Sequence, residues 1–121
     1  MSSFPFYELY GIGTPSAFSK GNVHIGNDVW IGANVSIMNA VSIGTGAVVA
    51  AHTVLTKDVP PYAIVAGNPG RIVKYRFDED VRDRLLASEW WKLTVKELTP
   101  YVDLITAGNV ESVAAFLDRR F

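Results

Sequence analysis

Isoleucine stands at Ile25, Ile31, Ile37 and Ile43, every sixth position, and Val49 and Leu55 extend the series. An α-helix spaces its apolar residues by three and four, and a half-buried strand alternates by two over a short run, so neither explains a sustained six. Four positions after each member comes a second small or β-branched residue: Val29, Val35, Val41, Ala47, Thr53 and Val59. The residue immediately following each member is small at Gly26, Gly32, Gly44, Ala50 and Thr56, with Met38 the exception. Each unit therefore predicts a short extended segment followed by a tight corner. A chain that lays one such segment on each face, turns and repeats builds a parallel β-helix. An ordinary apolar strand gives two or three such matches by accident, not six in one register.

The pattern divides the chain into three. Residues 1–22 begin with aromatics (Phe4, Phe6, Tyr7, Tyr10) and continue into the turn-rich "GIGTPSAFSKGN", which predicts a loop segment. Residues 23–76 hold the hexads, about two coils ending near Val59, and then the turn-rich strip "VPPYAIVAGNPG". Over residues 77–121 the period changes. Val81, Leu85 and Leu86 share one helical face, with Asp78, Glu79 and Asp80 where the partial positive charge of a helix N-terminus favours them. Further helix is predicted over 94–105 and 109–119, broken by Gly108 and Asn109. A solenoid needs a cap, and this tail is predicted to be one.

Composition agrees with a single domain: 121 residues, 49% of them hydrophobic, supply enough apolar surface for a core. A net charge of −1 without any basic run argues against a nucleic-acid partner. With no cysteine, thiolate chemistry and disulfides are excluded. Neither a basic leader nor a long apolar run is present, so the expectation is a cytoplasmic protein without a membrane partner.

The hexads resemble those of the hexapeptide-repeat acyltransferases. "IGNDVWIG", "GAVVAAHTVLTKDVPPYAIVAGNPGRIVKYRF" and the tryptophan pair in "ASEWWKL" are similar to the xenobiotic acetyltransferase branch, which includes the chloramphenicol and streptogramin enzymes. Related sugar O-acetyltransferases share much of the pattern. The resemblance covers roughly residues 1–93 and is most specific over 25–76. It implies a mainly β fold, a left-handed parallel β-helix with a C-terminal α-helical tail. The handedness comes from the resemblance, since parallel crossovers are ordinarily right-handed. It also implies a homotrimer, acetyl-coenzyme A as acyl donor, no metal, and a hydroxylated small-molecule acceptor such as an antibiotic or a sugar.

If residues eighteen apart stack, Gly32 lies under Ala50 and Ala33 under Ala51. Such a column of small residues lets a ligand approach the backbone closely, as a pantetheine arm requires, although small residues also simply suit corners. The resemblance places the acyl donor along this column, between neighbouring subunits. It carries the phosphate and adenine contacts to Lys57, Asn68, Pro69 and, less directly, Arg71, residue types suited to anions. Trp30 points outward if Ile31 points inward, and the resemblance makes it a wall beside the thioester.

Acyl transfer to a hydroxyl needs a general base, usually histidine. The chain has only His24 and His52, whose separation is not a multiple of eighteen. The resemblance puts the family's catalytic histidine a short way before a segment similar to "SSFPF", and here only Met1 precedes Ser2. The expectation is that the catalytic histidine and the first coils are missing, that His52 is a weak substitute candidate and His24 a weaker one. Two histidines on different columns do not make a metal site, and "GIGTPS" is half of a dinucleotide motif without a preceding strand. Two functions stay open: an acetyl-coenzyme A-dependent O-acetyltransferase, and a non-catalytic trimeric scaffold that keeps the donor groove.

Overall fold

The computed structural model describes residues 4–15 and 19–121. Ser2 and Ser3 of the "SSFPF" segment lie outside the described residues, as does part of the loop expected over 1–22. Within that loop Phe6–Tyr10 form a short helix, α1, closed by Gly11 at φ 68°. The left-handed conformation at its end is one that glycine adopts without penalty.

The hexads fold as a stack of coils. Six two-residue strands follow one another: β1 (His24–Ile25), β2 (Trp30–Ile31), β3 (Ser36–Ile37), β4 (Ser42–Ile43), β5 (Val48–Val49) and β6 (Val54–Leu55). They pair in parallel with an offset of eighteen: Ile25 with Ile43, Ile31 with Val49, and Ile37 with Leu55. Each pairing opens a different face of a three-sided prism. The six-residue period arises because every second strand residue points inward and the corner between faces takes up the rest. The inward residues Val41, Ile43, Ala47, Val49, Leu55, Val59, Ala63 and Val65 form one continuous core. Corners turn through a residue with positive φ, three positions past each inward aliphatic residue: Asp28, Asn34, Ala40, Gly46 and His52.

The strip after Val59, expected as turns, contains two strands. Four residues beyond Leu55, not six, Val59 bridges Ile43 and restarts the coil. Tyr62 then takes the positive-φ corner at φ 58°. β7 (Ala63–Ala66) pairs in parallel with β5, Val49 now facing Val65, so the third coil returns in sixteen residues. β8 (Arg71–Tyr75) folds back antiparallel on β7. The prism therefore exceeds the two coils expected.

The chain then enters a helical cap: α2 (Glu79–Ser88), a 3-10 turn at Trp90–Lys92, α3 (Val95–Leu98), α4 (Val102–Ala107) and α5 (Val110–Arg120). Asp78 caps α2 by accepting from the Val81 amide at 3.1 Å. Asn109 caps α5 by accepting from Ser112 N at 2.8 Å. Thr94 and Glu97 form a reciprocal capping box at α3; the hydrogen bonds from Thr94 hold the Glu97 carboxyl below its ordinary pKa. Val81, Leu85, Val113, Phe116 and Leu117 make a second core together with Phe77 and Tyr62. Because the strands are so short, more residues lie in helices than in strands, so the fold is mixed and not mainly β. Among the described residues, Tyr62 is the one corner residue of the prism whose side chain belongs to the core of the cap.

Candidate functional site

Two corners of the prism differ in what they carry. At the first, Asp28, Gly46 and Tyr62 stand above one another: Gly46 N donates to Asn27 O at 2.8 Å and Tyr62 N to Thr45 O at 2.9 Å. The cap closes over this corner. At the second, Gly32, Ala33 and Asn34 lie under Ala50, Ala51 and His52, with Gly32 N donating to Val49 O and His52 N to Ala33 O. Among the described residues nothing covers the outer side of this corner, and Ala33 and Ala51 are both exposed.

The expected stacking of Gly32 under Ala50 and Ala33 under Ala51 is present, but the reason for glycine differs between positions. A β-carbon on Gly32 would stand 2.6 Å from the Ala51 amide nitrogen, so the coil above already demands glycine there. The open surface belongs to the alanines. The column also runs further than eighteen-residue stacking suggests. One step beyond the Val49 to Val65 pair, Ala50 N donates to Val65 O at 2.9 Å and Ala66 follows over Ala50. Ala66 was missed because the shortened coil shifts the spacing from eighteen to sixteen.

Trp30 is 71% exposed, outward on β2 beside Ile31, as alternation requires. Its neighbours on that face are Val48 and Ile64, aligned by the strand register. Trp30 thus begins an apolar stripe that leads up the prism next to the small-residue corner.

Gly67, Asn68, Pro69 and Gly70 form the loop between β7 and β8, with a cis peptide bond between Asn68 and Pro69. The loop lies across β6 and completes the third face: Val54 N donates to Gly67 O at 3.0 Å, and Gly70 N to Val54 O at 2.8 Å. Asn68 and Pro69 are exposed on its crest. Lys57 and Arg71, fourteen positions apart in sequence, meet at one cavity of about 250 Å³, whose floor is Leu55, Val59 and Val65. Asp58 lies in the same cavity, but its Oδ1 accepts from Ser42 N at 2.8 Å and is held toward the coil below. Among the described residues neither Lys57 nor Arg71 forms an ion pair. The top of the prism therefore carries, beside its third corner, two cations outside any ion pair among the described residues, a setting that favours anions.

The histidines stay apart. His24 lies on β1 against Ser42, and His52 occupies the second corner at φ 61°. Both are exposed. Among the described residues no three His, Cys, Asp or Glu side chains are gathered so that they could hold a metal ion, and no helix is long and apolar enough to cross a membrane.

Residues 22–57 match the bacterial transferase hexapeptide family, described as six repeats. A chloramphenicol acetyltransferase of Agrobacterium fabrum is 38% identical over 121 residues, which cover 96% of this chain and 58% of that protein. One of Klebsiella aerogenes is 40% identical over 114 residues, covering 90% and 54% respectively. The chain thus spans somewhat over half the length of these relatives. Among solved structures, a hexapeptide-repeat acetyltransferase of Vibrio cholerae O1 biovar eltor, complexed with acetyl coenzyme A, superposes with a TM-score of 0.50 at 38% identity, over 63% of this chain and 39% of that one. The chain carries the hexapeptide repeat of the bacterial transferases and is a homologue of proteins named chloramphenicol acetyltransferase.

Proposed function

We propose that this chain is the acyl-donor-binding part of an acetyl-coenzyme A-dependent O-acetyltransferase that modifies a hydroxyl of a small molecule, an antibiotic or a sugar. The observation that carries this reading is the exposed small-residue corner of Ala33 and Ala51 on a prism whose top holds Lys57 and Arg71 outside any ion pair among the described residues. A pantetheine arm is long, thin and rich in amides, and a corner without side chains leaves the backbone within its reach. Polyphosphate at one end of the arm matches the two cations.

In this reading Gly32, Ala33, Ala50 and Ala51 form the track, Trp30 walls the thioester end, and Lys57, Asn68, Pro69 and Arg71 hold the nucleotide end. The bound donor supplies an activated acetyl thioester. The chain's own residues fix its position; His24 and His52 are given no catalytic role. Residues 23–76 form the donor part and 77–121 its cap.

The same reading makes the prism left-handed and the assembly a homotrimer. Support for association comes from the exposed apolar stripe begun by Trp30 and from β8, which is exposed along its length and includes Val73 at 63%. Contiguous apolar surface of this kind marks an interface.

Calorimetry with coenzyme A tests the proposal. Binding to the parent chain is expected, with loss in Ala51→Phe, because the ring would fill the track while pointing away from the core. Unchanged affinity in that variant would place the ligand elsewhere. No binding to the folded parent would leave a bare scaffold.

A further inference from the structure

A second cavity, of about 160 Å³, lies at the other corner, where the cap meets the prism. It shares no residue with the donor track. The rings of Tyr62, Phe77, Trp90 and Phe116, with Leu85 and Val113, form its walls. Tyr62 is 1% exposed, Phe116 2% and Phe77 7%, so these walls are fixed by the packing of the second core. An apolar cavity of about 150 Å³ is large enough for one benzene ring and stays dry when empty.

Polar groups at the mouth are already engaged. Arg76 Nη1 donates to Gly46 O at 2.7 Å and lies 3.5 Å from Asp28 Oδ2. Thr106 donates to Val102 O at 2.8 Å. The pairing of Arg76 with Asp28 leaves no spare charge to hold an ionic ligand.

Tyr62 is different. Its hydroxyl oxygen accepts from Trp90 Nε1 at 3.3 Å, but its proton meets no acceptor among the described residues. A phenolic hydroxyl both donates and accepts, and a buried donor without an acceptor is costly. Burial also raises the Tyr62 pKa, outweighing the opposing hydrogen bond from Trp90, so the proton is present at neutral pH.

We infer that the cavity between prism and cap binds a small neutral aromatic molecule bearing one hydrogen-bond acceptor, of the phenol class, its ring among Phe77, Trp90 and Phe116 and its oxygen accepting from the Tyr62 hydroxyl. The walls come from both the coils and the helices, so the ligand stabilises the docked cap by mass action.

The test uses the intact chain with phenol and benzene at millimolar concentration, read by the melting temperature and by the indole N–H resonance of Trp90. Both probes are expected to raise the melting temperature and shift that resonance, phenol more strongly. Tyr62→Phe is expected to weaken phenol binding several-fold and to leave benzene unaffected. A resonance unmoved by either probe, or phenol binding unaltered by Tyr62→Phe, would overturn the assignment. Should the variant not fold, crystals of the parent under xenon pressure decide the matter: a xenon site between Phe77 and Phe116 is expected, and none there would mean that the walls close on themselves.

Discussion

Arg76 and Gly46 are joined by a 2.7 Å hydrogen bond from guanidinium to carbonyl, thirty residues apart in sequence. Arg76 also lies over the rings of Tyr62 and Phe77, 5.7 and 5.5 Å from their centroids. One side chain thus reaches a corner of the second coil, the first coil through Asp28, and the aromatic floor of the cap. Replacing Arg76 by Ala is expected to lower stability by about 1.5–3 kcal/mol, the range for hydrogen bonds to charged groups. Hydrogen exchange should show the loss concentrated in α2 and α5, while the amides of β4 and β5 keep their protection. A uniform loss across all elements would mean that Arg76 does not serve the junction specifically.

Gly46 has φ 74° and sits directly under the Tyr62 ring, which a β-carbon there would overlap. Gly11 has a similar φ of 68° but faces open space. Gly46→Ala is therefore expected to cost at least about 2 kcal/mol, combining backbone strain with overpacking, and Gly11→Ala only the strain. Urea denaturation of the two variants separates the contributions; equal costs would remove the ring contact from the account.

Stability should fall at alkaline pH through Tyr62. Burial raises its pKa above the ordinary value near 10. The native protein then holds a proton that the unfolded chain releases, so the stabilisation is complete below about pH 10 and is lost as pH rises through the folded-state pKa. Tyr62→Phe should flatten this decline above about pH 10, as followed by urea unfolding. An unchanged slope would assign it to other groups.

Lys57 is exposed, so its effect on coenzyme A binding should be modest, about 1 kcal/mol or roughly five-fold in Kd. The variant Lys57→Ala should also lose part of the salt dependence of binding. Calorimetry at two ionic strengths checks both; an unaltered salt dependence would remove Lys57 from the phosphate site.

In the proposed reading neither histidine serves as the base, so acetyl transfer by this chain should be slow, since loss of such a group typically costs about 10²–10⁴ in rate. In a thiol-release assay with chloramphenicol, a streptogramin and simple sugars, His52→Ala and His24→Ala should each match the parent. Strong turnover abolished by either change would identify the base.

The prism was legible in the sequence because its core repeats one contact every six residues from Ile25 to Leu55, and nothing competes with that signal. The helical cap was legible through its punctuation: Asp78 before α2, and Gly108 with Asn109 before α5. β7 was hidden by its surroundings. Pro60, Pro61, Gly67 and Pro69 bracket "YAIVA" with turn residues, and the restart at Val59 moves Ala63 and Val65 out of the register set by Ile25. Ala66 was lost from the candidate track for the same reason. Lys57, Asn68, Pro69 and Arg71 were named from a family resemblance, and only the fold back from β7 to β8 explains how Lys57 and Arg71 share a cavity. Tyr62 gave no sign of its position, since a tyrosine after two prolines reads as a turn residue. The alternation expected to expose Trp30 was sound because it depends only on strand geometry.

The sixteen-residue return of the third coil, followed by the reversal into β8, gives the stack a direction. Its upper end is finished: an extra coil placed there would meet an antiparallel strand and a loop instead of three parallel edges. Its lower end is not, since β1, β2 and β3 each have a free edge among the described residues and Ile25 is 53% exposed where Ile43, one coil higher, is 2%. A coil can therefore be added at the lower end, and only as a whole turn. Duplicating residues 24–41 would lengthen the prism while leaving the junction and both cavities untouched, whereas an insertion one residue longer or shorter would turn the inward aliphatic residues below it toward water.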